Sequence, residues 1–226
     1  MTWEGLRRLR GRLDQLLTTL TIMTAALLFV VAPLRVAGAI IEYFAALSLL
    51  AVLIVAALMV FGSRLAFCGI LISIVLILVA IALEWQHPSR YEVYFDAIAA
   101  LIASLTLTIV VTRAVLSPGR ITFHRIIGAV LIYLNLGAIF VGLFGLVALL
   151  VPDAFVGLKQ FKEDPTIAAM VYFSFTTLTT LGYGDIVPLH PYARGLANIE
   201  AMIGQLYPAI LIARLVSLEL EDRHRP

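Results

Sequence analysis

Six apolar runs, each about long enough to cross a bilayer, follow one another along this chain, near residues 16–34, 36–61, 65–83, 93–116, 121–151 and 192–218. A spanning helix needs about 20 apolar residues. Inside hydrocarbon every backbone N–H and C=O has to be bonded within the protein, so such runs must be helices. The first two runs are divided only by Pro33, Arg35 and Gly38, and the next two only by Gly62, Ser63 and Arg64, which makes each pair antiparallel neighbours. Composition agrees: 62% of the 226 residues are hydrophobic, 13% are charged and mean hydropathy is +1.04. A soluble domain is about a quarter charged. The chain is read as an all-α integral membrane protein. Its net charge of +2 gives no reason to expect a nucleic-acid partner. The single cysteine, Cys68, lies inside an apolar run, so no disulfide framework is available, and it is expected as a small buried hydrophobe.

Basic residues set the orientation. With the N-terminus inside, eleven of the 16 Lys and Arg residues fall on the inner side (Arg7, Arg8, Arg10, Arg12, Arg64, Arg113, Arg120, Arg125, Arg214, Arg223 and Arg225) and five on the outer side (Arg35, Arg90, Lys159, Lys162 and Arg194). Both termini are therefore expected in the cytoplasm. The four N-terminal arginines before an apolar run imitate a secretory signal, but the run is too long and no small-residue cleavage site precedes Pro33. A retained first span is expected, with the stretch from Trp3 to Leu17 lying along the membrane surface.

Between the fifth and sixth runs the order of signals is specific. Val151-Pro152-Asp153 ends a helix, and a polar stretch from Gly157 to Asp164 follows. Asp164 and Pro165 then read as N-cap and first helical residue. Ile167 to Thr177 makes about three turns, too short to span, so a re-entrant half-helix is expected. Its partially negative C-terminal end favours a cation near the membrane midplane. Next comes Thr176-Thr177-Leu178-Thr179-Thr180-Leu181-Gly182-Tyr183-Gly184-Asp185. Glycine takes positive φ freely and Leu and Tyr do not, so the alternation Leu181-Gly182-Tyr183-Gly184 can turn successive carbonyls to one side. Four such strands around an axis make rings of oxygen able to replace an ion's hydration shell.

The stretch Thr180-Leu181-Gly182-Tyr183-Gly184-Asp185 resembles the selectivity filter of potassium channels, which read Thr-Val-Gly-Tyr-Gly at this place. Leu181 stands where valine is usual and contributes its carbonyl, so packing behind the filter is expected to change more than ion coordination. The resemblance covers roughly residues 121–218 and implies six transmembrane helices per subunit, with the pore helix and filter between the fifth and sixth, assembled as a homotetramer. It implies potassium ions held by the carbonyls of Thr180, Leu181, Gly182 and Tyr183 with the Thr180 hydroxyl, Gly184 completing the filter. Tyr172, Phe173 and Tyr183 would form a supporting aromatic cuff. Thr176 stands where some members have a carboxylate bonded to the equivalent of Asp185, so filter-based inactivation does not carry over.

In the sixth run Gly204 lies twenty residues after Gly184, a spacing similar to that of the family's gating-hinge glycine, and Pro208 removes a helix hydrogen bond one turn later. Close helix packing is the other reading of Gly204. The stretch from Glu200 to Tyr207 also resembles bacterial members. Glu200 is an acid within a span, which by default suggests function; a structural hydrogen bond behind the pore helix is preferred. Arg214 reads as a snorkelling anchor. In the fifth run Gly128, Gly137, Gly142 and Gly145 offer small surfaces for close helix contacts, and Asn135 a hydrogen bond between helices.

Four domains follow: a basic N-terminus (1–15), a four-helix sensor-like region (16–117), a pore domain (121–218) and a short tail (219–226). Six spans with the pore last resemble voltage-gated cation channels, but the fourth run has only Arg113, near its inner end. One charge moved through the whole field yields about 2.3 kcal/mol per 100 mV, so four subunits reach about 9 kcal/mol, against three or four charges per subunit in a working sensor. Weak or absent voltage dependence is expected. Glu42, Glu84, Glu92 and Asp96 are expected in interfacial water, and His124, beside Arg125, at the inner face. Ser117-Pro118-Gly119-Arg120 reads as the linker to the pore. No built-in ligand-binding module is expected in the tail, and gating is expected at the filter, by lipid or tension, or by a partner. No catalytic constellation, metal cluster or phosphate loop is visible, so neither an enzyme nor a cofactor beyond the permeant ion is expected. A multi-pass cell-membrane protein is expected, of prokaryotic type by resemblance. The rival readings are a non-selective cation channel, a non-conducting regulatory subunit and, opposed by the single pore loop, a transporter subunit.

Overall fold

The structure, a computed structural model, describes residues 3–34, 39–59, 64–86, 90–115, 123–158 and 167–223. They are almost entirely helical. Helix α1 (Trp3–Ala26) runs through a π-helical turn (Leu27–Val31) into α2 (Ala32–Leu34), and is followed by α3 (Ala39–Met59), α4 (Arg64–Gln86), α5 (Arg90–Val115) and α6 (Phe123–Leu150). Strand β1 (Phe155–Val156), helix α7 (Ile167–Leu178), strand β2 (Val187–Pro188) and the long helix α8 (Pro191–Arg223) complete the chain. The expected helix start at Asp164-Pro165, the linker 117–120 and the side chains of Glu42, Glu84, Glu92 and Asp96 lie outside the described residues.

Among the described residues, four helices are long and apolar enough to cross a membrane: Gln15–Leu34, Ala97–Val115, Phe123–Leu150 and Pro191–Arg214. Helices α3 and α4 carry the shorter apolar stretches Leu47–Ala57 and Ala66–Ala82. The protein is thus a membrane protein with several apolar helices. The N-terminal segment is not a separate surface helix: α1 continues unbroken from Trp3 into the first apolar run.

The π-turn has a local cause. Pro33 has no N–H and its ring crowds the carbonyl four residues back, so the α-register cannot pass through it undisturbed. The register widens just before it, and the Ala32 N–H bonds to Leu27 O.

Two apolar clusters organise the helices. One joins α1, α3, α4, α5 and the first half of α6 through Leu17, Leu20, Leu53, Ile70, Val111 and Leu131. The other surrounds α7 with Phe140, Phe144, Phe155, Met170, Phe173 and Ile186. Phe144, Phe155 and Phe173 meet edge to face, with centroids 4.8–5.9 Å apart, a favoured aromatic geometry. Three of the four glycines of α6 sit at helix contacts. Gly128 lies against Leu17 and Val115, Gly137 against the ring of Phe175 and Gly142 against Leu101, while Gly145 has nothing within 4 Å of an added Cβ.

Cys68 corrects the sequence expectation, since it is exposed. It shares an outward face of α4 with Phe67, Leu71, Ile72, Val75, Leu78 and Val79, all of them exposed. A helix apolar on every side does not declare which face it buries.

A side chain at Gly137 must displace the Phe175 ring from α6. Gly137→Leu is expected to cost about 1–3 kcal/mol by overpacking and to lower the thermal unfolding midpoint of the purified protein. Gly145→Ala is expected to leave that midpoint unchanged or raise it.

Candidate functional site

Helix α7 is 12 residues long and ends at Leu178. Beyond it the chain cannot continue helically, and its donors turn back. The Leu181 and Gly182 amides both bond to Thr176 O, at 2.8 and 3.1 Å, and the Thr180 amide bonds to Thr177 O at 2.9 Å. Positive φ occurs at Thr180 (58°), Gly182 (51°) and Gly184 (82°). The alternation expected at the two glycines is present and begins one step earlier, at Thr180. There it is strained, because threonine is β-branched. Among the described residues, none of the hydrogen bonds fixing this segment ends on a carbonyl from Thr180 to Tyr183. The segment therefore spends its donors on α7 and keeps four consecutive acceptors free. Leu181 and Tyr183 are 55% and 67% exposed in the single chain.

The Thr180 side chain is held on both sides. Its hydroxyl donates to Thr179 O at 2.7 Å and accepts from Gln205 Nε2 of α8 at 3.1 Å. Gln205 was not singled out by sequence. Its position directly after Gly204, on the helix that packs on α7, is the only signal available.

Of the three expected cuff residues, the structure brings two together. Tyr172 and Tyr183 stack with centroids 6.2 Å apart and rings within 3° of parallel. Phe173 points the other way, into the cluster with Phe144 and Phe155. Tyr172 also bonds to Asp185. Thr176 and Thr177 direct their hydroxyls to Phe173 O, at 2.9 and 2.8 Å, so Thr176 serves the segment through its carbonyl. Asp185 accepts from the Ile186 amide at 3.1 Å.

On the exit side, β2 pairs antiparallel with β1, Phe155 opposite Pro188 and Val156 opposite Val187. The Leu189 amide bonds to Ala154 O at 2.8 Å. Gly157, with φ 94°, lies so close to Asp185 O that no side chain fits there. Two-residue strands leave no pattern in a sequence, and this clamp was not foreseen.

Behind α7, Ser174 Oγ lies 2.9 Å from Gly137 O and 2.5 Å from Glu200 Oε1. Ser174 and Glu200 are fully buried. This is the preferred structural reading of Glu200, and it ties α6, α7 and α8 to one hydroxyl. Gly204 bears directly on the end of α7: an added Cβ would collide with Leu178 O. That geometry is close packing. α8 runs through both Gly204 and Pro208 as one helix. Tyr133 and Tyr207 stack nearby at 5.8 Å, the former reaching Leu178 O at 3.4 Å and the latter Ala129 O at 2.7 Å. His124, at the start of α6, meets Thr18 Oγ1 at 2.7 Å. Among the described residues no group of three or more His, Cys, Asp or Glu residues converges on a metal position.

Residues 122–220 match the family model described as "Ion channel". A 52-residue stretch is 40% identical to the potassium voltage-gated channel protein shk-1 of Caenorhabditis elegans, covering 23% of this chain and 10% of that protein. The chain thus spans about a tenth of the relative's length. No solved structure matches. Residues 122–220 are thus similar to an ion channel domain, and a 52-residue stretch is similar to a potassium channel.

Within the matched region, α7 is held by contacts that a conservative substitution can separate. Glu200→Gln keeps the side-chain length and a hydrogen-bonding group for Ser174, whereas Glu200→Leu leaves α8 without a polar link to α7. Glu200→Leu is expected to destabilise the protein by about 1–3 kcal/mol and lower its thermal midpoint, while Glu200→Gln stays close to the parent. A leucine variant as stable as the parent removes the network from any holding role.

Proposed function

We propose that the chain is one subunit of a homotetrameric potassium-selective channel, with residues 180–184 of four copies forming the filter. The observation that carries this reading is the run of unbonded carbonyls from Thr180 to Tyr183 in a backbone of alternating φ sign. In an apolar chain such acceptors are tolerated only where protein or water covers them, and a permeant cation makes use of them. The identity with a potassium channel over 52 residues supports the choice of ion. In this reading α7 is the re-entrant pore helix, six helices span, and the sensor-like region precedes the pore domain. Both termini are cytoplasmic, and the protein resides in the cell membrane. Ions lie at the carbonyls of Thr180, Leu181, Gly182 and Tyr183, and the Thr180 hydroxyl completes the inner site.

The exposed surface of α8 supports assembly. Ile199, Met202, Leu206 and Ile210 are all more than half exposed in the single chain, and only 11% of the apolar window of α8 is buried, against 50% for α6. Tyr183 is the cuff residue best placed for a neighbouring subunit. Gly204 and Pro208 remain the hinge candidates, acting where α8 meets the end of α7.

Purified protein in planar bilayers, under a potassium gradient opposed by sodium, is expected to reverse near the potassium potential. Gly182→Ala is expected to remove the current, because alanine disfavours a φ of 51°. Potassium currents of normal size in that variant overturn the filter assignment; reversal near zero makes the pore non-selective. Crosslinking is expected to give tetramers of this chain alone.

Voltage dependence is expected to be weak. Arg113 lies in the last turn of α5, exposed, and no second arginine shares that helix within the apolar span. Arg113→Gln is expected to leave the conductance–voltage relation unchanged; a steep relation that this variant flattens restores a sensor role.

A further inference from the structure

One side chain of α8 reaches the segment that leaves α7. Gln205 Nε2 lies 3.1 Å from Thr180 Oγ1, and that oxygen lies 2.7 Å from Thr179 O. Counting protons fixes the polarity of this short chain of bonds. A hydroxyl has one proton and two lone pairs, a backbone carbonyl only accepts, and an amide nitrogen only donates. Thr179 O therefore takes the Thr180 proton, and Gln205 supplies one of its own to the Thr180 oxygen. The orientation of the amide follows from the same count. With Oε1 turned to Thr180, two acceptors would share a single proton.

The second lone pair of Thr180 Oγ1 is uncommitted among the described residues. A hydroxyl left alone rotates to suit its surroundings. Here the inverted orientation would give up Thr179 O and turn the hydroxyl proton against the amide protons of Gln205. The hydroxyl is thereby held as an acceptor toward anything else that approaches it, which is the polarity a cation requires. The amide is itself well anchored. Gly204, its neighbour in sequence, rests on Leu178 O, Glu200 of the preceding turns is joined to Ser174, and Tyr207 bonds to Ala129 O. Ligands held in place bind more tightly than ligands that must first reorient.

We propose that Gln205 is a positioning residue for the innermost cation site, holding the Thr180 hydroxyl with its proton turned away so that its oxygen serves a dehydrated alkali cation beside the carbonyls. The proposal rests on the channel reading. It goes beyond that reading in giving an α8 side chain control of cation affinity at the base of the filter, exerted through Thr180 and without contact with the ion.

The test is potassium binding to the purified full chain by titration calorimetry in N-methylglucamine buffer, with reversal potentials in planar bilayers measured alongside. Gln205→Met keeps the side-chain length and removes the donor. It is expected to lower potassium affinity about fivefold, the size of one net hydrogen bond. Should it fail to fold, Gln205→Asn, too short to reach Thr180, is expected to show the same loss. Thr180→Val removes the hydroxyl, keeps the shape and is expected to weaken binding at least as much. In the Thr180→Val background, Gln205→Met is expected to change affinity no further, because the amide acts only through that hydroxyl. A packing role for Gln205 would instead lower affinity in both backgrounds. Equal affinity in the parent and Gln205→Met, or additive losses in the double variant, overturns the positioning role and leaves the channel reading intact. A parent that neither binds potassium nor reverses near the potassium potential overturns both.

Discussion

Two hydrogen bonds to one carbonyl let an irregular segment exist in a chain this apolar. The amides of Leu181 and Gly182 both return to Thr176 O. Without them, two donors would lie unpaired, and in an apolar setting each costs several kcal/mol. The position of Thr176 is in turn the position of α7, and three contacts fix that helix from behind. Ser174 bonds to Gly137 O and Glu200 Oε1, Phe175 lies in the notch of Gly137, and Leu178 O fills the notch of Gly204. Each neighbouring helix supplies one glycine to admit α7. α8 adds the buried acid that holds it.

The sequence is most informative where one physical rule dominates. Apolar runs locate the helices because lipid leaves the backbone few other choices. Gly182 and Gly184 foretell their positive φ because glycine alone is free to take it, and Glu200 foretells a polar partner because an acid among apolar residues requires one. Thr180 does not foretell its own left-handed backbone, since the strain there comes from the turn of the chain around the end of α7. The exposed Cys68, the inward Phe173 and the β1–β2 clamp are equally hidden. α4 is apolar on every side, two adjacent aromatics at 172 and 173 must face different ways on a helix with no mark for which, and two-residue strands carry no period. The π-turn follows from Pro33 only once the helix is known to run through that residue.

Strain at Thr180 bears on how rigid the segment is. A left-handed β-branched residue costs about 1–3 kcal/mol and persists only when its surroundings over-determine it. Thr180 meets that condition through its amide on Thr177 O, its hydroxyl on Thr179 O and the amide nitrogen of Gln205. The last of these comes from α8, directly after the glycine that packs on Leu178. A movement of α8 that lifted Gly204 away from Leu178 would also draw Gln205 from Thr180, so helix packing and the base of the segment are mechanically one contact.

The two unpartnered apolar faces of the chain differ in what they border. The face of α4 that includes Phe67, Leu71 and Val75 is apolar throughout and is satisfied by lipid tails as it stands. The face of α8 borders Thr180 and the unbonded carbonyls, which lipid cannot satisfy. On the proposed channel reading, covering that face with further copies of the same chain would bury Met202, Leu206 and Ile210 and gather the carbonyls around a shared axis. On that reading, the acceptors that are a liability in one subunit would become, where four sets converge, a ring of oxygens in place of water around a dehydrated cation.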